Sequence, residues 1–420
     1  MSKPSVAVRP GAVKRLRRRS LRHIIWASGV SSLGDGMVLV AFPLLALTKT
    51  SSPIAIAGVA VAGALPSFLC ALPAGALVDR VDRRRLAAIV NIGRATALAA
   101  FALAGWLIGI ELWMIYLTVA FLGVMQVVFL AVSQVSLPVL LAGDGLARAN
   151  GQLTAVEISG QQVLGPALGG FLYGAAQAIP FAADALSFLF SGAVLQRALP
   201  DTPSRISKQG WGADIAEGLK WFLGQPALRL CAALISSLAF FQSMVMALLA
   251  IYGVRDLGLS HTGYGLLYAT IAVGNLVGAL GARRAIARLG APTSVLLGAA
   301  LAAVSYLILS TTHSAITAAG ALSLEAVGVA VGNVTTITVR QEVIPEHLMG
   351  RVMTAFRMTI LGFAPLGALA GGVAAASIGI RSTFLLAGLG ASSFVAVLGP
   401  STWRHLARLH PRESLTPAGT

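Results

Sequence analysis

Charged residues are scarce in this chain. Asp, Glu, Lys and Arg make up 11% of its 420 residues, whereas 56% are hydrophobic. In soluble domains roughly a quarter of all residues are charged, so this shortage excludes a chain built of two or three water-soluble domains. Apolar runs recur instead from Ile24 to Pro400, which indicates that most of the chain is embedded in a lipid bilayer.

The chain has only two cysteines and lacks several catalytic sequence motifs. Cys70 and Cys231 lie alone in different apolar segments, which excludes a disulfide framework and a C-x-x-C metal site. No Lys follows a Gly, so the P-loop of ATPases is absent, and neither H-E-x-x-H nor G-x-S-x-G occurs. We therefore expect a protein that is not an enzyme and that holds no cofactor and no metal.

Twelve apolar segments are each long enough to cross a bilayer as a helix, which takes about 20 residues. They lack the period-two alternation of barrel strands, and their connections are too short to hold a soluble domain. The sequence thus predicts an all-α integral membrane protein. The predicted segments are 23–47, 53–77, 86–109, 112–141, 149–174, 179–199, 228–253, 262–282, 292–312, 314–339, 351–376 and 380–400.

The distribution of Lys and Arg predicts the orientation, because short cytoplasmic connections retain positive charge. Only Lys49, Arg255 and Arg381 fall in connections on one side, so both termini are expected in the cytoplasm of a plasma-membrane protein. The net charge of +16 is spread over these connections without a nucleic-acid-binding fold, and we expect membrane lipid rather than nucleic acid as its partner. The first apolar run is too long for a cleaved signal peptide and eleven more follow it. The basic N-terminal run that anchors this topology comprises Lys14, Arg15, Arg17, Arg18, Arg19 and Arg22.

Short sequences repeat at an offset of 202 to 203 residues. Gly75-Ala76-Leu77 recurs as Gly278-Ala279-Leu280, and Leu164, Gly165, Gly169 and Gly170 recur as Leu366, Gly367, Gly371 and Gly372. A weaker match joins Asp35-Gly36-Met37-Val38 to Gln242-Ser243-Met244-Val245. Six segments separate each pair, so the repeat predicts two halves of parallel topology with the substrate path at their junction.

The repeat defines the expected domains. A basic N-terminal segment (1–22) precedes a six-helix half (23–199), a cytoplasmic linker (200–227), a second six-helix half (228–400) and a cytoplasmic tail (401–420). Within the linker, Trp211, Ile215, Leu219 and Phe222 recur at helical spacing, which predicts an amphipathic helix at the membrane interface that tethers the halves.

The connection between the second and third segments reads G-A-L-V-D-R-V-D-R-R-R-L from Gly75 to Leu86. It resembles the major facilitator superfamily pattern G-x-L-x-D-R-x-G-R-[RK]-x, with Asp82 in place of the later glycine, as in the enterobactin-exporter and macrolide-efflux branch. With the twelve segments and the repeat, the resemblance covers nearly the whole chain. A charge contact made in one conformation and broken in another would give this connection a gating role. The candidate gating residues are Gly75, Asp79, Arg80, Asp82, Arg83 and Arg84, with Arg357 as partner of Asp79 or Asp82.

The fifth segment contains Gly165-Pro166-Ala167-Leu168-Gly169-Gly170, which resembles the end of the antiporter motif of facilitator exporters. Gly151 and Gly160 each lie one residue from the motif's upstream glycine positions. Small residues at this spacing allow close helix packing, and Pro166 favours a kink. This motif implies export.

Four carboxylates lie inside apolar segments, where a buried charge is costly and therefore indicates function. Asp35, Glu157 and Glu325 are near segment centres, and Asp184 is nearer an outer end. A carboxyl group in an apolar cavity can take up a proton and release it when water or a cationic substrate arrives. Because the resemblance places the first and tenth segments beside the central cavity and the sixth toward the periphery, Asp35 and Glu325 rank first and Asp184 last.

These observations predict a monomeric secondary transporter that exports amphipathic small molecules, drug-like compounds or siderophores, in exchange for protons by alternating access. The fourth segment lacks the buried arginine that many proton-coupled exporters of the superfamily carry there. A uniporter or a proton-coupled importer of a small metabolite remains an alternative. A non-transporting scaffold or receptor, which would need long exposed loops, and an intramembrane enzyme are more distant ones.

Overall fold

The computed structural model describes residues 10–140, 144–198, 219–345 and 348–409, and every regular element in these ranges is helical. Eleven helical stretches there are long and apolar enough to span a membrane. The remaining predicted segment, the fifth, is interrupted. In it a π-helical stretch, π1, separates two short α-helices. The all-α membrane fold predicted from the sequence is confirmed.

The first predicted half contains α1 (Pro10–Lys49), α2 (Pro53–Arg80), α3 (Arg83–Leu107), α4 (Leu112–Leu140), α5 (Asp144–Ile158), π1 (Ser159–Leu164), α6 (Gly165–Ala175) and α7 (Ile179–Ala198). The second contains α8 (Pro226–Met246), the turn Leu249–Ile251, π2 (Tyr252–Asp256), α9 (His261–Leu289), α10 (Ala291–Thr311), α11 (Ala315–Val343), α12 (Met349–Ile378) and α13 (Ile380–Leu409).

Several helices extend beyond the predicted apolar segments. The first segment was predicted to begin at residue 23, but α1 begins at Pro10, and α13 continues past Pro400 to Leu409. Hydropathy marks the bilayer-crossing part of a helix, whereas backbone hydrogen bonding continues through the basic turns at its end. The side chains of Lys14 to Arg19 lie outside the described residues, as do residues 410–420 of the predicted tail.

Local signals in the sequence explain where helices begin and end. Asp82 and Ser260 cap α3 and α9 with their side chains, each accepting a hydrogen bond from a backbone N–H three residues later. Gly290 and Gly379 separate consecutive helices with φ of 80° and 83°, a conformation that glycine adopts without strain. These caps produce the short connections that the sequence predicted.

The described residues group into two compact units. One draws on residues 1–41 and 69–207 and the other on 42–68 and 208–420. In the first unit α3 packs against α7 and α4; in the second, α11 packs against α9 and α10, and α8 against α12. The domain boundaries derived from the repeat stay a prediction.

The predicted linker helix lies largely outside the described residues, which resume at residue 219. Residues 219–224 contain a helical turn in which Phe222 is buried and meets Phe356 edge-on, with ring centroids 6.0 Å apart. Leu219, predicted on the same apolar face, is exposed. Phe222 therefore anchors the end of this segment on α12.

The glycine repeat corresponds to equivalent packing in the two units. A Cβ at Gly169 would lie 2.5 Å from the backbone carbonyl oxygen of Met37 in α1, and one at Gly371 would lie 2.6 Å from that of Met244 in α8. Both distances are shorter than a Cβ atom tolerates, so each glycine lets two backbones touch. The backbones of α6 and α1 are therefore in van der Waals contact, and so are those of α12 and α8.

Candidate transport site

Asp35 lies near the middle of the membrane-spanning part of α1, and a second carboxylate from α7 reaches the same point. The neighbour of Asp35 on α1 is Gly34, and a Cβ there would overlap the carboxylate oxygen Oδ1 of Asp184. The missing side chain therefore lets Asp184 lie against the α1 backbone. Asp184 is fully buried, whereas Asp35 is partly accessible.

Arg94, near the middle of α3, completes this group. Its side chain is only 1% exposed and interacts electrostatically with both Asp35 and Asp184. The guanidinium lies between two aromatic rings, 5.2 Å from the centroid of Phe129 and 4.9 Å from that of Phe188. Cation–π attraction of this kind is stronger at desolvated sites.

Only part of the hydrogen-bonding capacity of this group is satisfied. Arg94 donates through one terminal nitrogen to the amide oxygen of Gln126 in α4, while its Nε and Nη1 have no hydrogen-bond partner among the described residues. Asp184 Oδ1 accepts from the hydroxyl of Ser187 at 2.8 Å, and its Oδ2 has no partner in the described part of the chain. Buried polar atoms without partners are rare in folded proteins and call for an explanation.

Glu157 adds a third carboxylate. It is partly buried in α5 and interacts electrostatically with Asp35. Among the described residues, Arg94 is the only cation that acts on Asp35. Three carboxylates and one guanidinium carry a net charge of −2 when all are ionised, which is costly in an apolar environment.

The π-helical stretch π1 lies directly beside Asp35. A Cβ at Gly36 would come within 2.6 Å of the backbone oxygen of Gln161 and 2.9 Å of that of Gly160. π-Helical turns are frequent at functional sites, and here the turn ends where Gly165 and Pro166 begin α6. The expected kink at Pro166 is thus a π-helical turn preceding that proline.

The second unit contains a counterpart of this group, in which the described hydrogen-bond partners of the carboxyl group are uncharged. Glu325 of α11 is fully buried, and its Oε1 accepts hydrogen bonds from Gln242 Nε2 at 2.5 Å and from the Tyr306 hydroxyl at 3.3 Å. Its other oxygen, Oε2, has no hydrogen-bond partner within the described ranges. Gln242 is the residue that the sequence repeat matches to Asp35. The two positions matched by the repeat therefore both belong to buried polar groups.

The predicted gating residues are described only in part. The side chains of Asp79, Arg80 and Arg83 lie outside the described residues, as does any contact of Gly75. Asp82 Oδ1 accepts from the backbone N–H of Arg85 at 2.8 Å and so caps α3. Arg357 of α12 has an exposed side chain. Its pairing with Asp79 or Asp82 stays a prediction.

The antiporter-like residues have a packing role that the structure describes. Gly165, Pro166, Gly169 and Gly170 are all buried, and a Cβ at Gly165 would lie 2.6 Å from the Cα of Gly36. The motif therefore holds α6 directly against the part of α1 that carries Asp35.

Sequence reasoning did not single out Arg94 and ranked Asp184 below Asp35, although the structure places Asp184 against Gly34, the neighbour of Asp35. Arg94 had been grouped with the basic residues on the cytoplasmic side, yet it lies within α3. The rule that an ionisable residue inside an apolar segment indicates function was applied to carboxylates alone, and applied to cations it would have found Arg94. The arginine missing from the fourth segment thus has a buried counterpart in the third.

Comparison with known proteins agrees with this architecture. The sequence profile of the Major Facilitator Superfamily matches residues 24–364. The chain is 30% identical over 384 residues to the multidrug efflux pump Tap of Mycobacterium tuberculosis (strain ATCC 25618 / H37Rv), covering 86% of this chain and 88% of that protein. It is 27% identical over 387 residues to Tap of Mycolicibacterium fortuitum, covering 88% and 92%.

Solved structures share the fold at low sequence identity. A bacterial homologue of the human lysosomal transporter Spinster superposes with a TM-score of 0.73 at 14% identity, covering 94% of this chain and 98% of that one. The nucleoside transporter NupG gives 0.71 at 11% identity, covering 92% and 98%. With the profile match over most of its length, this multi-pass membrane protein belongs to the major facilitator superfamily and is a transporter by family.

Proposed function

We propose that this chain is a secondary active transporter that exports amphipathic small molecules, drug-like compounds or siderophores, in exchange for protons. Two relatives named multidrug efflux pumps, similar along most of their length, support export of drug-like compounds. Proton coupling is supported by the charge imbalance around Asp35, which is the observation that carries the proposal.

Protons are the natural means of correcting that imbalance. One guanidinium balances one carboxylate, and the excess negative charge is removed when a carboxyl group binds a proton. Asp35 and Glu157 are both partly accessible, and Asp35 is the one of these two that interacts with Arg94, so we assign proton exchange with the transport pathway to Asp35. Asp184 is fully buried and acts as the fixed counter-charge that keeps Arg94 in place.

Protonation of Asp35 changes what Arg94 binds. With Asp35 ionised, the guanidinium is shared between two carboxylates; with Asp35 neutral, its charge is balanced by Asp184 alone. The unpaired Nε and Nη1 of Arg94 supply the donors for such an exchange. A proton entering from outside would in this way favour one arrangement of α1 against α3 and α7, and its release would favour the other.

Transport follows by alternating access of the two halves, with both termini in the cytoplasm of a plasma-membrane monomer. A cationic substrate and a proton compete for the same negative charge, so that loading one releases the other. The gating connection from Gly75 to Arg84, with Arg357, would open and close the cytoplasmic side.

Reconstitution into liposomes with a pH-sensitive dye inside tests the proposal. We expect transport of dyes, macrolides or catecholate siderophores in one direction to drive protons in the opposite direction. Asp35→Asn should abolish this proton movement. Glu111→Gln, an exposed carboxylate outside the helices, is the matched control and should keep it. Substrate movement without any proton flux in the unaltered protein would instead indicate a uniporter.

A further inference from the structure

The second unit contains a cavity of about 120 Å³ between α8, α10, α11 and α12. Its walls are mainly aliphatic side chains and glycine backbone, and two amide side chains, Gln242 and Asn333, also line it. A cavity needs roughly 10–15 Å³ to hold one water molecule, so this one has room for an alkylammonium chain or a single ring. It is therefore large enough for part of a transported molecule.

One wall residue connects the cavity to Glu325. Gln242 is partly buried, lines the cavity and donates from its Nε2 to Glu325 Oε1. Glu325 itself is fully buried one turn before Gly328 and Val329, which also line the cavity. The carboxylate is thus close to the cavity but separated from it by the Gln242 amide.

The Glu325 carboxylate determines how that amide is oriented. Glu325 Oε1 accepts a hydrogen bond from Gln242 Nε2, so the amide directs its NH₂ group towards Glu325. The Tyr306 hydroxyl donates to the same oxygen from α10, and Tyr268 of α9 also interacts electrostatically with Glu325. With one N–H of its NH₂ group engaged by Glu325, the amide has its carbonyl oxygen as an acceptor and a second N–H as a donor for a molecule in the cavity.

We propose that Gln242 is a specificity-determining residue, which selects molecules that place an N–H donor of a protonated amine against its carbonyl oxygen in this cavity. The aliphatic walls bind the apolar part of the same molecule. This inference rests on the proposed export of amphipathic molecules and names the substrate class of one subsite.

The test compares two fluorescent probes that differ only at the nitrogen. A dansyl group on a pentyl chain ends in a primary ammonium in the first probe and in a trimethylammonium in the second. Both carry one positive charge, but only the first can donate a hydrogen bond. Binding is measured from dansyl fluorescence with the full-length protein in detergent, without a proton gradient. We expect the primary ammonium to bind about 10-fold more tightly, the effect of one charge-assisted hydrogen bond.

Two variants separate hydrogen bonding from the larger size of the trimethylammonium group. Gln242→Leu removes the acceptor. Glu325→Gln keeps the side-chain shape but lets the Gln242 amide turn either way, and it serves as the test if Gln242→Leu does not fold. Both should reduce the 10-fold preference to less than about 2-fold, within the range left by steric fit alone. Glu342→Gln, the same substitution on α11 outside the cavity, should retain it.

The outcomes decide the inference separately from the proposed function. Equal affinity for the two probes in the unaltered protein overturns it, and so does a preference that survives both variants. Loss of the preference in Gln242→Leu and Glu325→Gln, with trimethylammonium binding retained, supports it. Because no proton gradient is present, none of these results depends on Asp35. Unchanged proton movement in Asp35→Asn in the liposome assay would instead overturn the proposed proton coupling.

Discussion

Gly34 of α1 and Asp184 of α7 occupy adjoining space so closely that a methyl group on Gly34 would overlap the Asp184 carboxylate. This contact explains how a charged side chain from the sixth span reaches the first one beside Asp35. A glycine that looks like a generic packing residue in the sequence therefore determines the geometry of the charged group.

Gly34→Ala is predicted to disturb transport through this contact. The added Cβ displaces Asp184 and with it the counter-charge of Arg94, at a cost of about 1–3 kcal/mol in stability. We expect loss of proton-coupled transport together with a lower melting temperature in detergent. Gly281→Ala, a helical glycine with open space around its Cβ position, is the control and should keep transport with equal or higher stability. Normal transport in Gly34→Ala would contradict the assigned geometry.

Arg94→Met is predicted to destabilise the protein by about 3–5 kcal/mol, because it leaves buried carboxylates without their cation. Adding Asp184→Asn removes one of the uncompensated carboxylates. The double variant Arg94→Met/Asp184→Asn should therefore be more stable than Arg94→Met alone, as measured by thermal unfolding in detergent. Additive destabilisation by the two changes would show that Arg94 and Asp184 are not coupled.

Gly169→Ala and Gly371→Ala are predicted to have similar effects, because each glycine supports the same contact in its own unit. A Cβ at either position meets backbone atoms, which cannot rotate away. We expect both variants to lower the melting temperature, each by an amount equivalent to about 1–3 kcal/mol. Gly151→Ala and Gly320→Ala, whose Cβ positions are open, are the controls. An effect in one unit only would argue that the repeat is not reflected in packing.

Asp82→Ala is predicted to cost about 1 kcal/mol, the usual value for losing a helix N-cap. Asp82→Asn keeps an oxygen that can accept from the Arg85 N–H, so its stability should stay close to that of the unaltered protein. Thermal unfolding of the two variants checks this. Equal stability of both would mean that the cap contributes little, and would leave charge as the reason for an aspartate at this position.

Hydropathy predicted the helices because each one needs a long run of apolar residues. Gly165, Gly169, Gly367 and Gly371 were recognisable as a repeat because close backbone contact tolerates no other residue. The interruption at π1 was not predicted, because the residues Ser159 to Leu164, which include two glutamines and a glycine, do not distinguish a π-helical turn from an α-helical one by sequence.

For the charged group, the sequence predicted individual residues but not which of them lie together. Asp35, Glu157 and Glu325 were identified from their depth in apolar segments, but their neighbours depend on which helix faces pack together. Asp184 ranked last because the sixth segment was expected at the periphery, and its approach to Asp35 depends on the absence of a side chain at Gly34. The Gln242–Glu325 hydrogen bond joins residues 83 positions apart and leaves no local signal.

The central claim is that Asp35 couples proton movement to export. Its most direct test compares two assays of Asp35→Asn in liposomes: uphill transport driven by a pH gradient, and exchange of labelled for unlabelled substrate without one. The account predicts that uphill transport is lost while exchange continues, because exchange needs substrate binding and alternating access but no proton. Uphill transport at the rate of the unaltered protein in Asp35→Asn would contradict it.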